Sequence, residues 1–284
     1  MQNQLHSKNI IVTGGSTGIG IESARALADM GASVWIVGRG ESKTKQAIES
    51  IKQSTGNGHV DYFIADLTSI ASIKEVSRMI LSRLDHLDVL LNNAGAIFMQ
   101  RQISVDGFEM TFALNHINYF LLTRLLLDLI KNTAKARIVN VSSAGHRSGH
   151  VDFSDLQSNN NYNPMRVYGT SKLMNILFTY ELASRMAGTG ITVNALHPGL
   201  VRSNFGKSNG GIMVSIFKLL HLGAISVAEG AKTSVFLASS PEVEGVTGKY
   251  FDKCKAVNSS KESYDKDVAI RLWEETERLI DSQV

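Results

Sequence analysis

Residues 9–20 read NIIVTGGSTGIG. Asn9 to Thr13 is a short, β-branched apolar run of the kind that forms a strand. Thr13-Gly14-Gly15-Ser16-Thr17-Gly18-Ile19-Gly20 follows without a break, and a helical pattern starts at Gly18. Glycines let a backbone approach a pyrophosphate closely, and the amino terminus of the next helix favours negative charge. The spacing is G-x-x-x-G-x-G rather than G-x-G-x-x-G, and the G-K-[ST] ending of ATP-type loops is missing. Alone, the match reads equally well as a Gly-rich turn. Its place after the first strand of a β-α-β unit is what gives it weight.

Working outward, apolar runs alternate with longer helical patterns to the end of the chain. Further strands are predicted at 33–38 (SVWIVG), 59–65, 87–92, 136–141 (ARIVNV), 191–196 and 248–251. Runs apolar on both faces suit a parallel sheet covered by helices on each side. The clearest helical signals span 18–30, 69–84, 107–130, 165–186 and 226–237, with Gly31 at a carboxyl-cap position. Repeated β-α-β alternation predicts a doubly wound α/β fold built as a single domain over 1–284. Two stretches break the rhythm: the polar 145–164 and the Gly-punctuated 201–225 with its apolar core IMVSIFKLLHL. Both follow strand carboxyl ends, where open α/β sheets bind ligands.

Composition narrows the classes. A chain of 284 residues with 43% hydrophobic side chains supports one large core. No run approaches the roughly 20 apolar residues of a membrane span, and the polar start, Met1 to Lys8, lacks a secretory h-region. A net charge of +3 without a basic block argues against nucleic acid. The single Cys254 excludes an intramolecular disulfide, and the histidines lack metal-ligand spacing. These features predict a cytoplasmic, metal-free protein with no integral membrane segment.

The end of strand two decides between dinucleotides. An acid there bonds the ribose 2′-hydroxyl of NAD, whereas Arg accommodates the 2′-phosphate of NADP. Gly38-Arg39-Gly40 stands here with no carboxylate before Glu41, and Lys43 could add charge. NADP is therefore expected, with NAD the less favoured cofactor. Further on, Tyr168-Gly169-Thr170-Ser171-Lys172 sets a phenol and an ammonium on one helical face. A nearby cation favours phenolate, tuning a group that ordinarily titrates near pH 10 towards acid/base work. Taken alone, the pair also reads as solvated helix surface.

The motifs stand in order: TGGSTGIG at 13–20, Asp66-Leu67, Asn92-Asn93-Ala94-Gly95, Asn115, Ser142-Ser143, YGTSK at 168–172 and Pro198-Gly199. With this set, the chain resembles the short-chain dehydrogenase/reductases over nearly its whole length. VGR at 37–39, NVSSAGH at 140–146 and HPGLV at 197–201 make it most similar to the retinol-dehydrogenase-like branch. The resemblance implies a Rossmann fold, a seven-stranded, mainly parallel sheet in the order 3-2-1-4-5-6-7. It implies that Tyr168 is the general acid in reduction and the base in oxidation. Lys172 would hold the nicotinamide ribose and lower the Tyr168 pKa, and Ser143 would hydrogen-bond the substrate oxygen. Asn115 would complete a tetrad by holding a water that links Lys172 to solvent. Gly14, Ser16, Thr17, Gly18, Ile19, Gly20 and Arg39 would bind the cofactor's phosphates, and Asp66 and Leu67 would flank the adenine. Asn92, Asn93, Ala94 and Gly95 would form a cofactor wall, and Pro198, Gly199 and Val201 would line the nicotinamide, with Ser203 nearby.

Open choices remain. Alternation lets only one of Ser142 and Ser143 face the cofactor, and only the family alignment selects Ser143. Asn118 rivals Asn115, three residues on. The 201–225 segment reads as a lid over a small lipophilic carbonyl substrate, or equally as a surface or subunit-contact helix. Retinal-like or aliphatic aldehydes, quinones and steroid-like ketones all suit such a pocket. The resemblance further implies a homodimer or homotetramer joined through the helices near 107–130 and 165–186. A different class of function, an NADP-binding redox sensor without turnover, would not need Ser143, Tyr168, Lys172 and Asn115 together. A sugar-nucleotide epimerase would need more chain after Pro198.

Overall fold

Strand β1 (Asn9–Thr13) lies between β2 (Ser33–Gly38) and β4 (Val89–Asn92), parallel to both. Its side chains alternate between the two faces as a strand's period of two dictates. Ile11 enters the core on one face, and Ile10 and Val12 enter the core on the other, all without solvent exposure. The computed structural model describes residues 4–201 and 225–283. Adding β3 (Val60–Ile64), β5 (Arg137–Val141), β6 (Thr192–His197), β7 (Tyr250–Asp252) and β8 (Lys255–Val257) gives the order β3-β2-β1-β4-β5-β6-β7-β8. This is the expected Rossmann-like α/β sheet, with one strand more than the seven predicted.

The extra strand pairs antiparallel with β7. Its two-residue turn is Lys253-Cys254, with φ of 49° and 60°. A type I′ hairpin turn has positive φ at both central positions, normally signalled by Asn-Gly or Asp-Gly. Lys-Cys carries no such signal.

Helices cover both faces. The layer over Ile10 and Val12 contains α1 (Gly18–Asp29) and α2 (Glu41–Thr55), with α7 (Val227–Ser239) beside them. The layer over Ile11 holds α3 (Ile70–Arg83), α5 (Asn118–Lys131), α6 (Pro164–Arg185) and α8 (Lys266–Asp281). The helix expected over 107–130 is broken: a single turn α4 (Met110–Phe112) passes through a π-helical turn (Ala113–Ile117) into α5. Helix α8 starts on an Asp265 cap and lays Trp273 against Phe120 of α5 and Phe178 of α6, with ring centroids 4.7 and 5.8 Å apart. Arg185 lies over that indole, 4.2 Å from its centroid. Trp273 thus covers part of the apolar surface of α5 and α6 within the chain.

The polar stretch 145–164 is not a free loop. Arg101 donates to the Ser158 carbonyl (3.1 Å) and to Asn159 (2.6 Å), Gln157 accepts the Glu109 amide (2.9 Å), and Tyr162 donates to the Phe98 carbonyl (2.8 Å). The segment is tied to the chain that follows β4. The predicted lid, including Ser203, lies outside the described residues except at its ends, where Val201 and Ile225 form a bridge and the Ile225 amide donates to the Leu200 carbonyl at 2.9 Å. Among the described residues, no helix is long and apolar enough to cross a membrane.

Candidate active site

The carboxyl ends of the parallel strands β1 to β6 lie along one edge of the sheet. At β1, the chain turns through Gly14 (φ 65°), Ser16 and Thr17 into α1. The turn is knitted to β4 by short side chains. Thr13 Oγ1 accepts the amides of Asn93 (2.9 Å) and Ala94 (3.0 Å), and Asn93 Nδ2 donates to the Thr13 carbonyl (2.8 Å). Asn93 therefore shapes the turn with its side chain, while Ala94 lies under Gly14. A Cβ on Gly14 would stand 2.9 Å from Ala94 Cα, and one on Gly20 2.4 Å from the Gly14 carbonyl oxygen. Only glycine fits either place. Helix α1 begins at Gly18 with no side-chain cap and no acid in its first turn, so Gly18, Ile19 and Gly20 present a bare positive helix end.

Beyond β2, Arg39 is exposed and has no ion-pair partner among the described residues. The nearest acid in sequence, Glu41, is taken by Lys45 at 2.8 Å. At the end of β3, Asp66 is exposed and accepts from Thr68 N (3.0 Å) and Oγ1 (2.7 Å), whereas the Leu67 side chain is buried in the core. Only the backbone of Leu67 is left to meet an adenine. Asn92 points away from the edge into the interior, donating to Thr123 Oγ1 and Asn140 Oδ1.

Tyr168, Lys172 and Ser143 meet where α6 crosses β5. Tyr168 shares a hydrogen bond with the Ser143 side chain. Ser142 is turned away and buried, donating to the Lys172 carbonyl at 2.7 Å. Strand alternation thus leaves Ser143 as the serine beside the phenol. The buried Lys172 Nζ donates to the Val141 carbonyl at 3.0 Å and lies 5.6 and 5.7 Å from the ring centres of Tyr119 and Tyr168. Gly95 makes room for it, since a Cβ there would be 3.2 Å from both Lys172 Nζ and Asn115 Oδ1.

Burial governs both titrating groups. It pushes Lys172 down to about 7, since its cation has no carboxylate partner among the described residues. Burial also pushes Tyr168 up to about 12, against the opposing bond from Ser143. The lowering expected from Lys172 is not among the causes; the Ser143 bond lowers the phenol and desolvation outweighs it. At neutral pH Tyr168 is a phenol, ready to donate.

Asn115 sits in the π-helical turn, and its side chain is committed to protein. Oδ1 accepts the Ala96 amide (2.9 Å), and Nδ2 donates to the Ala96 carbonyl (3.0 Å) and to Ser171 Oγ (2.9 Å). It ties the chain after β4 to α6 one residue from Lys172. The rival Asn118 only returns to its own helix, at the Leu114 carbonyl (3.3 Å). Beyond β6, Gly199 (φ 87°) packs against Ile225, and Val201 packs against Gly230 of α7. Pro198 is partly exposed at the edge.

Several residues absent from the sequence reading complete the site. Tyr119 and Asn175 also donate to the Val141 carbonyl, each at 3.3 Å. Ser171 links Tyr168 to Asn115 by donating to the Tyr168 carbonyl at 2.8 Å. His146 and His197 flank Ser143. For Ser171, His146 and His197 a signal existed, because they lie inside YGTSK, NVSSAGH and HPGLV; Tyr119 and Asn175 depend on Val141, far away in sequence. Among the described residues no group of three His, Cys, Asp or Glu could hold a metal.

Comparison with known proteins agrees with this geometry. The short chain dehydrogenase family model matches residues 8–210. Human retinol dehydrogenase 13 is 42% identical over 280 residues, 96% of this chain and 84% of the relative. A solved protein from Mycobacterium paratuberculosis shares 28% identity with a TM-score of 0.79, covering 97% of this chain and 94% of its own. A short-chain dehydrogenase from Shigella flexneri, solved with NADP, shares the fold at 23% identity and a TM-score of 0.71, covering 90% of this chain and all (100%) of its own. The chain belongs to the short-chain dehydrogenase/reductase family of oxidoreductases and is retinol-dehydrogenase-like.

Proposed function

We propose that this chain reduces a lipophilic aldehyde or ketone with NADPH. The observation that carries the reading is the phenol of Tyr168, hydrogen-bonded to Ser143 and one helical turn from a buried ammonium, at the same sheet edge as the glycine turn. The residues fit a dinucleotide. The uncapped start of α1 and the Gly14–Gly20 turn suit a pyrophosphate, Gly95 leaves space beside Lys172, and the free Arg39 suits a 2′-phosphate. NADPH, when bound, supplies the hydride to the carbonyl carbon. The Ser143 hydroxyl orients the carbonyl oxygen and stabilises negative charge developing on it. Tyr168 gives its phenolic proton to that oxygen, and the Lys172 ammonium stabilises the phenolate left behind. Asn115 holds α6 in register with the chain after β4, so this donor keeps its place. Retinol dehydrogenase 13 is named for a long, apolar alcohol, which supports retinal-like aldehydes as the first substrates to try.

A panel of retinal, medium-chain aldehydes, quinones and steroid ketones, each offered with NADPH and with NADH, tests the reading. Carbonyl-dependent oxidation of NADPH in preference to NADH is expected. Tight NADPH binding with no turnover across the panel would contradict it and favour the sensing role.

A further inference from the structure

Two histidines in the motifs NVSSAGH and HPGLV have no part in the proton transfer just described, yet both reach the same peptide group. His146 Nδ1 lies 2.6 Å from the Ser143 carbonyl oxygen, and its Nε2 accepts the Ser260 amide at 3.0 Å. Since a carbonyl can only accept and an amide only donate, His146 carries its proton on Nδ1. His197 is the mirror case. Its Nδ1 accepts the Ala144 amide at 3.1 Å and the Gly199 amide at 3.4 Å, so Nδ1 is bare. The Ser143 carbonyl and the Ala144 amide are the two ends of one planar unit. One imidazole grips each end.

We propose that His146 and His197 are positioning residues that fix the 143–144 peptide plane, and with it the aim of Ser143 Oγ, and that His197 must be neutral to hold its end while His146 must be neutral to stay anchored on the Ser260 amide. The serine's role rests on the reductase reading; the grip itself does not. The clamp spans three regions distant in sequence, since Gly199 belongs to the turn after β6 and Ser260 to the segment after β8. Ser143 itself is extended (φ −159°, ψ 158°), and its Oγ accepts the Gly145 amide at 3.1 Å, so rotation of the next peptide would turn the hydroxyl's surroundings with it.

Protonation is the natural way to break the grip. A second proton on His146 leaves the Ser260 amide facing an N–H, and one on His197 does the same to Ala144 and Gly199. Burial holds both rings below the usual imidazole range. The facing charges divide: Asp252 on β7 favours His197 imidazolium, whereas Arg147 and Lys253 oppose it. Around His146, the Ser143 carbonyl favours the cation, and Arg147 and His197 oppose it, with the Tyr250 ring edge-on at 4.9 Å. Activity should therefore fall on the acid side as either ring takes up its second proton.

Nitrogen-15 imidazole spectra at slightly alkaline pH read the tautomers without any turnover. A protonated Nδ1 on His146 and a bare Nδ1 on His197 are expected; the opposite assignment on either ring overturns the clamp. For kinetics, His197→Ala should lower kcat for retinal reduction by roughly tenfold or more. His197→Asn supplies an amide oxygen that accepts but does not titrate, so it should restore most of kcat and leave an acid limb set by His146 alone. Wild-type kcat in His197→Ala overturns the proposal. So does a His197→Asn variant that melts like wild type yet is no faster than His197→Ala. Correct tautomers in a wild type that reduces no carbonyl would remove the reductase reading and leave the grip standing.

Discussion

The β1–β4 edge and the β5–β6 edge of the cleft are built from different materials. At β1–β4, the turn is held by backbone amides, one threonine hydroxyl, one asparagine amide and glycines that exclude a methyl group. No group in the 13–20 turn titrates. At β5–β6 the fixing groups are a buried lysine, two imidazoles and a phenol, and burial shifts all four. The first edge can fail sterically and is indifferent to pH. The second is packed as closely, with a Cβ on Gly169 only 2.8 Å from the Gly145 carbonyl oxygen, and depends on protonation as well. That division suits an anchor for the cofactor beside a station for moving protons.

The strongest way to break the comparison is Gly20→Ala. The added methyl would sit 2.4 Å from the Gly14 carbonyl oxygen and 2.6 Å from Asn93 Nδ2. Overpacking of this sort costs about 1–3 kcal/mol, and a displaced turn should weaken NADPH binding by about a hundredfold, equally at acid and alkaline pH. Calorimetric titration at two pH values checks both points. A pH-dependent loss would mean that the two edges are not separable.

Arg39→Ala should act more narrowly. Losing one charge-assisted contact should raise the Kd for NADPH by about tenfold and leave that for NADH unchanged. Equal effects on both would show that Arg39 does not read the 2′-phosphate.

Lys172→Met sharpens the other side and has the smallest expected effect, on stability. The folded chain holds this lysine at about 7 against an ordinary 10.5, so between these values the unfolded chain binds a proton that the folded chain lacks. Wild-type stability then rises with pH across that window. Removing the charge should raise Tm by about 3 °C or more near neutrality, with the gain shrinking towards pH 10.5. Tyr119 and Asn175 still satisfy the Val141 carbonyl in the variant. A gain independent of pH would show that packing, not the buried charge, is responsible.

Legibility divides along the same line. The first two strands fall where their apolar runs begin and end, because a β-branched run between turn residues is a local signal. The glycine turn was readable for the same reason. Strand β8 was not, since Lys253 and Cys254 take left-handed backbone without a residue that advertises it. The π-helical turn at Asn115 was hidden inside a continuous helical pattern, and it carries the Asn115 tie to Ala96 after β4. The choice between Ser142 and Ser143 needed the facing helix, which takes the Ser142 hydroxyl on the Lys172 carbonyl. The pKa of Tyr168 was read from its neighbouring cation, but its surroundings decide it, and burial leaves no mark on a pair of residues four apart.

The central claim is that the Tyr168 phenol delivers the proton in carbonyl reduction, and one comparison tests it most directly. Single-turnover oxidation of NADPH by retinal should be slowed by roughly 10²–10⁴-fold in Tyr168→Phe, with the Kd for NADPH unchanged. A variant that turns over at the wild-type rate while binding NADPH normally would contradict it.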